Sequence, residues 1–292
     1  MNIQKSFEET DKGVLYVVPT PIGNLEDITY RALKILASVH YIAAEDTRNT
    51  KKLLNHFEIT TSLISYHEHN KMAREEQLIN KLSQGESIAI VSDAGMPAIS
   101  DPGYEIVQTA IKREFKVIVL PGANAALCAL IGSGLPTNEF YFYGFLPRKK
   151  KEKETELVRL KDFQATLLFY ESPYRLKDTL KIMKSSLGMR QAAIARELTK
   201  RFEEYVRGSL DELMAWSNET ELRGEFCIIV EGSEAGTEEN ERAIWWRELS
   251  IEEHVNHYVE QENYTNKEAI KRVALDRNVP KREIYQAYHV DQ

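Results

Sequence analysis

Ile88-Ala89-Ile90-Val91-Ser92-Asp93-Ala94-Gly95-Met96-Pro97-Ala98-Ile99-Ser100-Asp101-Pro102-Gly103 decides the fold. It opens on four apolar residues without polar alternation, the pattern of a parallel strand buried on both faces. It closes on a loop of Gly, Pro, Asp and Ser, and an amphipathic helix begins near Tyr104. A strand that empties into such a loop just before a helix is where open α/β sheets hold ligands. Two further loops share this character, Pro19-Thr20-Pro21-Ile22-Gly23-Asn24 and Pro121-Gly122-Ala123-Asn124. All three are expected at strand carboxyl ends, where the fold would gather them around a cofactor.

Outward from this stretch, strands are predicted over 14–18, 41–44, 62–66, 87–92 and 116–120. Helical spacing fills the intervals, which argues for a parallel, doubly wound sheet. An apolar helix over 125–131 leads to Gly132-Ser133-Gly134-Leu135-Pro136, which breaks the chain between two α/β sets. The second set has strand-like runs at 140–145, 166–170, 192–195, 204–206 and 226–230, with helices at 149–160, 175–187 and 210–217. Residues 232–242 are polar, acidic and contain Gly, as a linker would. Helices are then predicted over 244–262, 267–277 and 281–288, which suits either a helix-turn-helix or a plain small bundle. The division is 13–123 and 124–232 for two α/β domains with mostly parallel sheets, and 243–292 for a helical C-terminal segment.

The chain has 292 residues, enough for two ordinary domains. No apolar run approaches the roughly 18 residues that span a bilayer. Residues 1–12 are polar and lack the apolar centre of a signal peptide, so a cytoplasmic location without a membrane partner is expected. Cys128 and Cys227 both sit in apolar segments and are read as small core residues in a reducing compartment. No Cys/His cluster has zinc-ligand spacing, so no metal is expected, and His67 with His69 is read as exposed polar groups. The net charge of −7 weakly opposes a nucleic-acid partner. Local basic sets run against that average, at Arg148-Lys149-Lys150-Lys151 and at Lys267, Lys271, Arg272, Arg277, Lys281 and Arg282.

Neither G-x-G-x-x-G after the first strand nor G-x-x-x-x-G-K-[ST] anywhere is present, which disfavours a nicotinamide enzyme or a P-loop nucleotidase. The loops instead combine prolines, small residues and carboxylates. Proline removes backbone donors and leaves carbonyl oxygens. Such loops suit a cationic, hydroxyl-bearing ligand better than a phosphate. S-adenosylmethionine, with its sulfonium and ribose hydroxyls, has that chemistry.

Six stretches in order carry a family resemblance: 18–29, Glu45-Asp46-Thr47-Arg48, 91–103, 120–125, Gly144-Phe145-Leu146-Pro147-Arg148 and Phe169-Tyr170-Glu171-Ser172-Pro173-Tyr174-Arg175. Over residues 13–232 the chain resembles the tetrapyrrole-methylase superfamily. It is most similar to the ribosomal branch, bacterial methyltransferases of a cytidine ribose 2′-hydroxyl in small-subunit (16S) ribosomal RNA. The tail is similar to that branch's helix-turn-helix-like segment. The resemblance implies two α/β domains with S-adenosylmethionine in the cleft between them, a homodimer, and ribosomal RNA or the small ribosomal subunit as substrate. Carried over by position, Ile22, Ser92, Asp93, Met96, Asn124, Ala125 and Glu171 would bind the cofactor. Ser92 and Ala94 depart from the superfamily's Gly and Pro on either side of the aspartate.

Asp93 could also be an ordinary turn residue holding local amides. Glu45 to Arg48 could be a strand-end cap and ion pair. Methyl transfer to a hydroxyl calls for a base or a cationic stabiliser. The candidates are Glu45, Asp46, Glu171, Glu197 and Lys200, with Arg48, Arg148, Arg175 and Arg196 as substrate clamps. A tetrapyrrole or protein methyltransferase, or a non-enzymatic nucleic-acid-binding protein, are the alternatives.

Overall fold

The computed structural model describes residues 3–8, 10–68, 71–233, 246, 249–262, 264–277 and 279–290, without the side chains of 71–73 and 290. His69, Asn278 and most of the linker read over 232–242 lie outside the described residues. The chain divides into two compact units, Met1–Ser233 and Glu234–Gln292.

The first unit holds two sheets. One is built from β1 (Val14–Val17), β2 (Tyr41–Ala44), β3 (Ser62–Ser65), β4 (Ile88–Val91) and β5 (Lys116–Val119), in the order β3-β2-β4-β1-β5. All its pairings are parallel, as predicted. Alternate residues serve opposite faces. Val14, Val18 and Ile42 pack with Leu36 of α1 (Tyr30–Ser38) and Leu54 of α2 (Thr47–His56). Leu15, Val17 and Ile90 pack with Leu78 of α3 (Lys71–Ser83) and Ile106 of α4 (Tyr104–Lys112). Both faces are covered, which is why these strands read as unbroken apolar runs. Each fully buried Leu or Ile contributes about 1.5–3 kcal/mol. Because β1 lies between β4 and β5, the carboxyl ends of these three strands adjoin.

The second sheet comprises β6 (Phe140–Phe145), β7 (Thr166–Glu171), β8 (Gln191–Arg196), β9 (Glu204–Ser209) and β10 (Phe226–Val230), ordered β6-β7-β10-β8-β9. This sheet is mixed. β6 and β7 pair in parallel, while β10 runs antiparallel to β7 and β8, and β9 antiparallel to β8. A strand buried on both faces reads the same in either direction, so composition does not reveal its sense. The short connection from β8 to β9 suits a hairpin, whereas a parallel crossover needs a dozen residues or more. Register places Phe226 opposite both Glu171 and Arg196. The amino end of β10 therefore meets the carboxyl ends of β7 and β8.

Helix α5 (Ala125–Ser133) joins the two sheets and packs Ala126, Ala129 and Leu130 on Leu168, Ala193 and Ile229. The opposite face is covered by α6 (Lys150–Arg159), α7 (Leu176–Leu187) and α8 (Leu210–Glu219), with Leu157, Leu180 and Leu213 in one core. Of the two cysteines read as core residues, Cys227 is buried and Cys128 is exposed, a correction. The helix carrying Cys128 is apolar almost all round, so its sequence did not distinguish the solvent side.

The C-terminal unit contains α9 (Ile251–Glu260), α10 (Asn266–Asp276) and α11 (Lys281–Val290). Ser250 with Glu253, and Thr265 with Glu268, form capping boxes that fix two helix starts. Val255, Ile270, Val273 and Ile284 make the core. The unit's first described helix begins at Ile251, and residues 244, 245, 247 and 248 of the helix expected over 244–262 lie outside the described residues. Arg277, read as part of a basic surface, instead donates to the carbonyl oxygens of Trp246, Leu249 and Ser250 and lies over the Trp246 ring. Arg272 pairs with Asp276 at 3.3 Å. Lys267, Lys271, Lys281 and Arg282 are exposed.

Candidate active site

The three loops are physically tied. Thr20 and Gly95 exchange backbone hydrogen bonds of 2.9 Å, joining the loops after β1 and β4. The loop after β5 presses on the first at Gly122, where an added Cβ would lie 2.6 Å from the Cβ of Pro19. Within the 92–103 loop, Ala98 and Ser100 take φ values of 67° and 64°. Left-handed backbone at non-glycine residues costs about 1–3 kcal/mol each and concentrates at functional loops.

These loops and the facing edge of the second sheet enclose a cavity of about 430 Å³. Its walls include Ile22, Asp93, Met96, Asn124, Ala125 and Glu171, six of the seven residues carried over as cofactor contacts. The seventh, Ser92, is buried behind the wall, where its hydroxyl donates to the Ala94 carbonyl at 3.2 Å. Further walls come from Ser100, Asp101, Phe145, Tyr170 and Cys227, and from Gly224 and Glu225 just before β10. None of these is a site residue on the sequence alone. Asp101 stood inside a quoted motif and could have been singled out as its second carboxylate. Glu225 had no such signal, because the antiparallel course of β10 alone brings it here.

Asp93 accepts from the Asp46 backbone N–H at 3.1 Å and from Asn49 Nδ2 at 3.1 Å. These partners belong to the start of α2, far away in sequence, so Asp93 ties two loops together and does not hold local amides as an ordinary turn residue would. A carboxylate has about four lone-pair positions, so these two bonds leave room for a ligand. Glu45 and Asp101 stand in the same electrostatic field. Burial, then the Asp93 charge, raises Glu45 above the ordinary carboxylate range. Burial, then the Glu45 charge, pushes Asp101 up to about 6, against a hydrogen bond with Ser92. Carboxylates that resist ionising together are stabilised by a nearby cation. This acidic field, the apolar walls and the proline-rich loops fit a sulfonium nucleoside such as S-adenosylmethionine. Among the described residues, no group of three or more His, Cys, Asp or Glu side chains could hold a metal.

The other candidates have partners within the fold. Asp46 caps α2, accepting from the Arg48 amide at 2.8 Å, and pairs with the Arg48 guanidinium at 2.6 Å. That partner holds its carboxyl well below the usual range, which makes Asp46 a poor base. Glu171 is buried and accepts from Thr179 Oγ1 at 2.7 Å, while Lys153 Nζ donates to the same hydroxyl. Arg175 lies 3.2 Å from Glu171 and donates to the carbonyl oxygens of Leu146 and Pro147. Arg196 pairs with Glu204 at 2.5 Å and lies over Trp216. Arg175 and Arg196 are therefore already engaged within the fold. Arg148 is exposed.

Lys200 reaches Glu197 and Glu225, each at 3.0 Å. Burial opposes its charge, but the Glu225 and Glu197 carboxylates prevail and raise its pKa. It is a cation at neutral pH rather than a base. Its stem lies against Gly23, where a Cβ would be 2.4 Å from Lys200 Cγ, so the first loop and the 197–203 turn touch.

The family model of tetrapyrrole (corrin/porphyrin) methylases matches residues 14–214. A Halalkalibacterium halodurans protein named ribosomal RNA small subunit methyltransferase I is 57% identical over 290 residues, covering 99% of both chains. The Bacillus subtilis protein of the same name is 56% identical over 290 residues, again covering 99% of each. Among solved structures, uroporphyrin-III C-methyltransferase from Thermus thermophilus, complexed with S-adenosyl homocysteine, superposes with a TM-score of 0.52 at 18% identity. That match covers 77% of this chain and 100% of the other and shows a shared fold. The loops that meet at this cavity, the pair of sheets and the matched span agree: the chain belongs to the tetrapyrrole methylase family.

Proposed function

We propose that the protein transfers the methyl group of S-adenosylmethionine to the 2′-hydroxyl of a cytidine ribose in small-subunit ribosomal RNA. The observation that carries this reading is the acid-walled cavity where the three loops meet, in a chain that is similar from end to end to named small-subunit ribosomal RNA methyltransferases. The working division is 13–123, 124–232 and 243–292, acting as a cytoplasmic homodimer. Leu127 and Ile131, exposed one turn apart on α5, are residues a second copy would cover.

Bound S-adenosylmethionine supplies an electrophilic methyl on a sulfonium, and the ribose oxygen takes it as the carbon–sulfur bond breaks and its electron pair stays on sulfur. Ile22, Asn124 and Ala125 hold the cofactor against the first sheet, and apolar walls exclude water. Asp93, Glu45 and Asp101 place negative charge beside the cationic centre. A member of this trio receives the hydroxyl proton, and burial raises the pKa of both Glu45 and Asp101 for that role. Lys200 serves as a cation at the rim, and Arg48 and Arg148 face the RNA backbone. Holding oxygen and methyl carbon at about 3–3.5 Å in line is the main catalytic contribution.

The test is transfer of labelled methyl from S-adenosylmethionine to small ribosomal subunits, with tetrapyrroles as the competing acceptor. A labelled nucleotide whose 3′ linkage resists alkali, as a blocked 2′-hydroxyl requires, is the expected product. Label on tetrapyrrole alone would contradict the proposal.

A further inference from the structure

A second cavity of about 250 Å³ lies beside the first. It is formed by Thr20 of the first loop, by Asn49, Lys52 and Leu53 of α2, and by Ser92 and Asp93. Asp93 lines both cavities. None of Asn49, Lys52 and Leu53 has a role in the reading above. From this shared wall we infer that the smaller cavity receives the base of the nucleotide being methylated, while its ribose reaches past Asp93 toward the methyl donor. The inference rests on the proposed RNA methylation.

Three observations support it. The first is geometry. Two ligands that exchange a group must bring their reacting atoms to about 3–3.5 Å, which requires adjoining sites with little protein between them. Asp93 is the residue common to both linings here, and the Thr20–Gly95 bridge brings the two together. The second is size. The larger cavity suits a nucleoside carrying an amino acid, and the smaller suits a base with part of its sugar.

The third is chemistry. Asn49 donates through Nδ2 to Asp93 at 3.1 Å, which fixes the orientation of its carboxamide. A fixed carboxamide presents a paired donor and acceptor, the complement of a base edge. Thr20 and Ser92 have their hydroxyls engaged within the protein, Thr20 Oγ1 donating to the Ser92 carbonyl at 3.2 Å. They form a rigid floor, both being nearly fully buried. Lys52 is exposed on α2, and its ammonium suits a flanking phosphate. An unpaired nucleotide swung out of its strand would present this set of groups.

The experiment compares wild-type protein with Leu53→Trp, Lys52→Ala and Lys52→Glu. It measures methylation kinetics on small ribosomal subunits, S-adenosylmethionine affinity by calorimetry, and melting temperature. Leu53→Trp fills the cavity and is expected to lower kcat/KM for subunits by at least roughly tenfold while cofactor affinity stays within about twofold. Lys52→Glu is expected to raise KM for subunits more than Lys52→Ala, with kcat little changed and a weaker salt dependence.

If Leu53→Trp does not fold, the two exposed Lys52 variants decide, and wild-type KM in both overturns the inference. A folded Leu53→Trp that methylates like wild type overturns it as well. So does a tenfold loss of cofactor affinity in that variant, which would assign the cavity to the cofactor. Failure of the parent reading looks different: wild-type protein would then methylate no small subunit at all.

Discussion

Gly122→Ala adds one methyl group and removes no polar function, charge or hydrogen bond. Gly122 is not among the positive-φ residues, so alanine meets no backbone penalty there. The added Cβ would nevertheless stand 2.6 Å from Pro19 Cβ and 2.9 Å from Pro19 Cγ. Ordinary contact begins near 3.4 Å, so the loops after β1 and β5 must separate by about 0.8 Å. Pro19 is in a rigid ring and cannot rotate away. The strain of overpacking is about 1–3 kcal/mol. If the loops yield, Ile22 and Asn124 move apart across the cavity, and a displacement near 1 Å can cost on the order of a hundredfold in ligand engagement. The expected result is a roughly 10–100-fold weaker S-adenosylmethionine affinity by calorimetry in a protein that still folds. Wild-type affinity in folded Gly122→Ala protein would refute the idea that loop spacing builds the pocket.

Other outcomes follow from the same geometry. Asp93→Ala should weaken cofactor binding by about 1–3 kcal/mol, roughly 5–150-fold, since it removes an acceptor and frees the Asp46 amide and Asn49; unchanged calorimetric affinity would count against its place in the pocket. Cofactor affinity should fall as pH drops below about 6, where Asp101 takes up a proton and the acidic field weakens, and should level off above it. In the C-terminal unit, burial and the Arg277 charge push His254 down to about 4 against the opposite pull of Asp276. Its folded pKa is therefore depressed: the stability it contributes is present above the ordinary histidine value and is lost as pH falls through that window toward 4, which circular dichroism of the full chain would follow. Ending the chain after Gly232 should impair RNA binding more than cofactor binding, and the reverse would make the tail a structural element.

The first sheet was legible because its strands are uniformly apolar and its helices carry clear faces. Leu15 and Val17 point one way and Val14 and Val18 the other, and each side has its own helices. The direction of β10 was not legible. Phe226 to Val230 is buried throughout, so nothing in its pattern records which way it runs. That single ambiguity hid Glu225 and Cys227 from the candidate site. The loop residues were visible because Gly, Pro and Asp must cluster where three chain reversals touch. The arginines were not, since a sequence does not show whether a guanidinium meets solvent or a carbonyl oxygen. Arg175 and Arg277 meet carbonyl oxygens, and their charge holds loops instead of phosphate.

A crystal structure of the full chain with S-adenosyl homocysteine tests the central claim most directly. The ligand is expected in the cavity bounded by Ile22, Asp93 and Asn124, with its sulfur on the side of the Glu45, Asp93 and Asp101 carboxylates. Ligand bound anywhere else, with that cavity left to water, would contradict it.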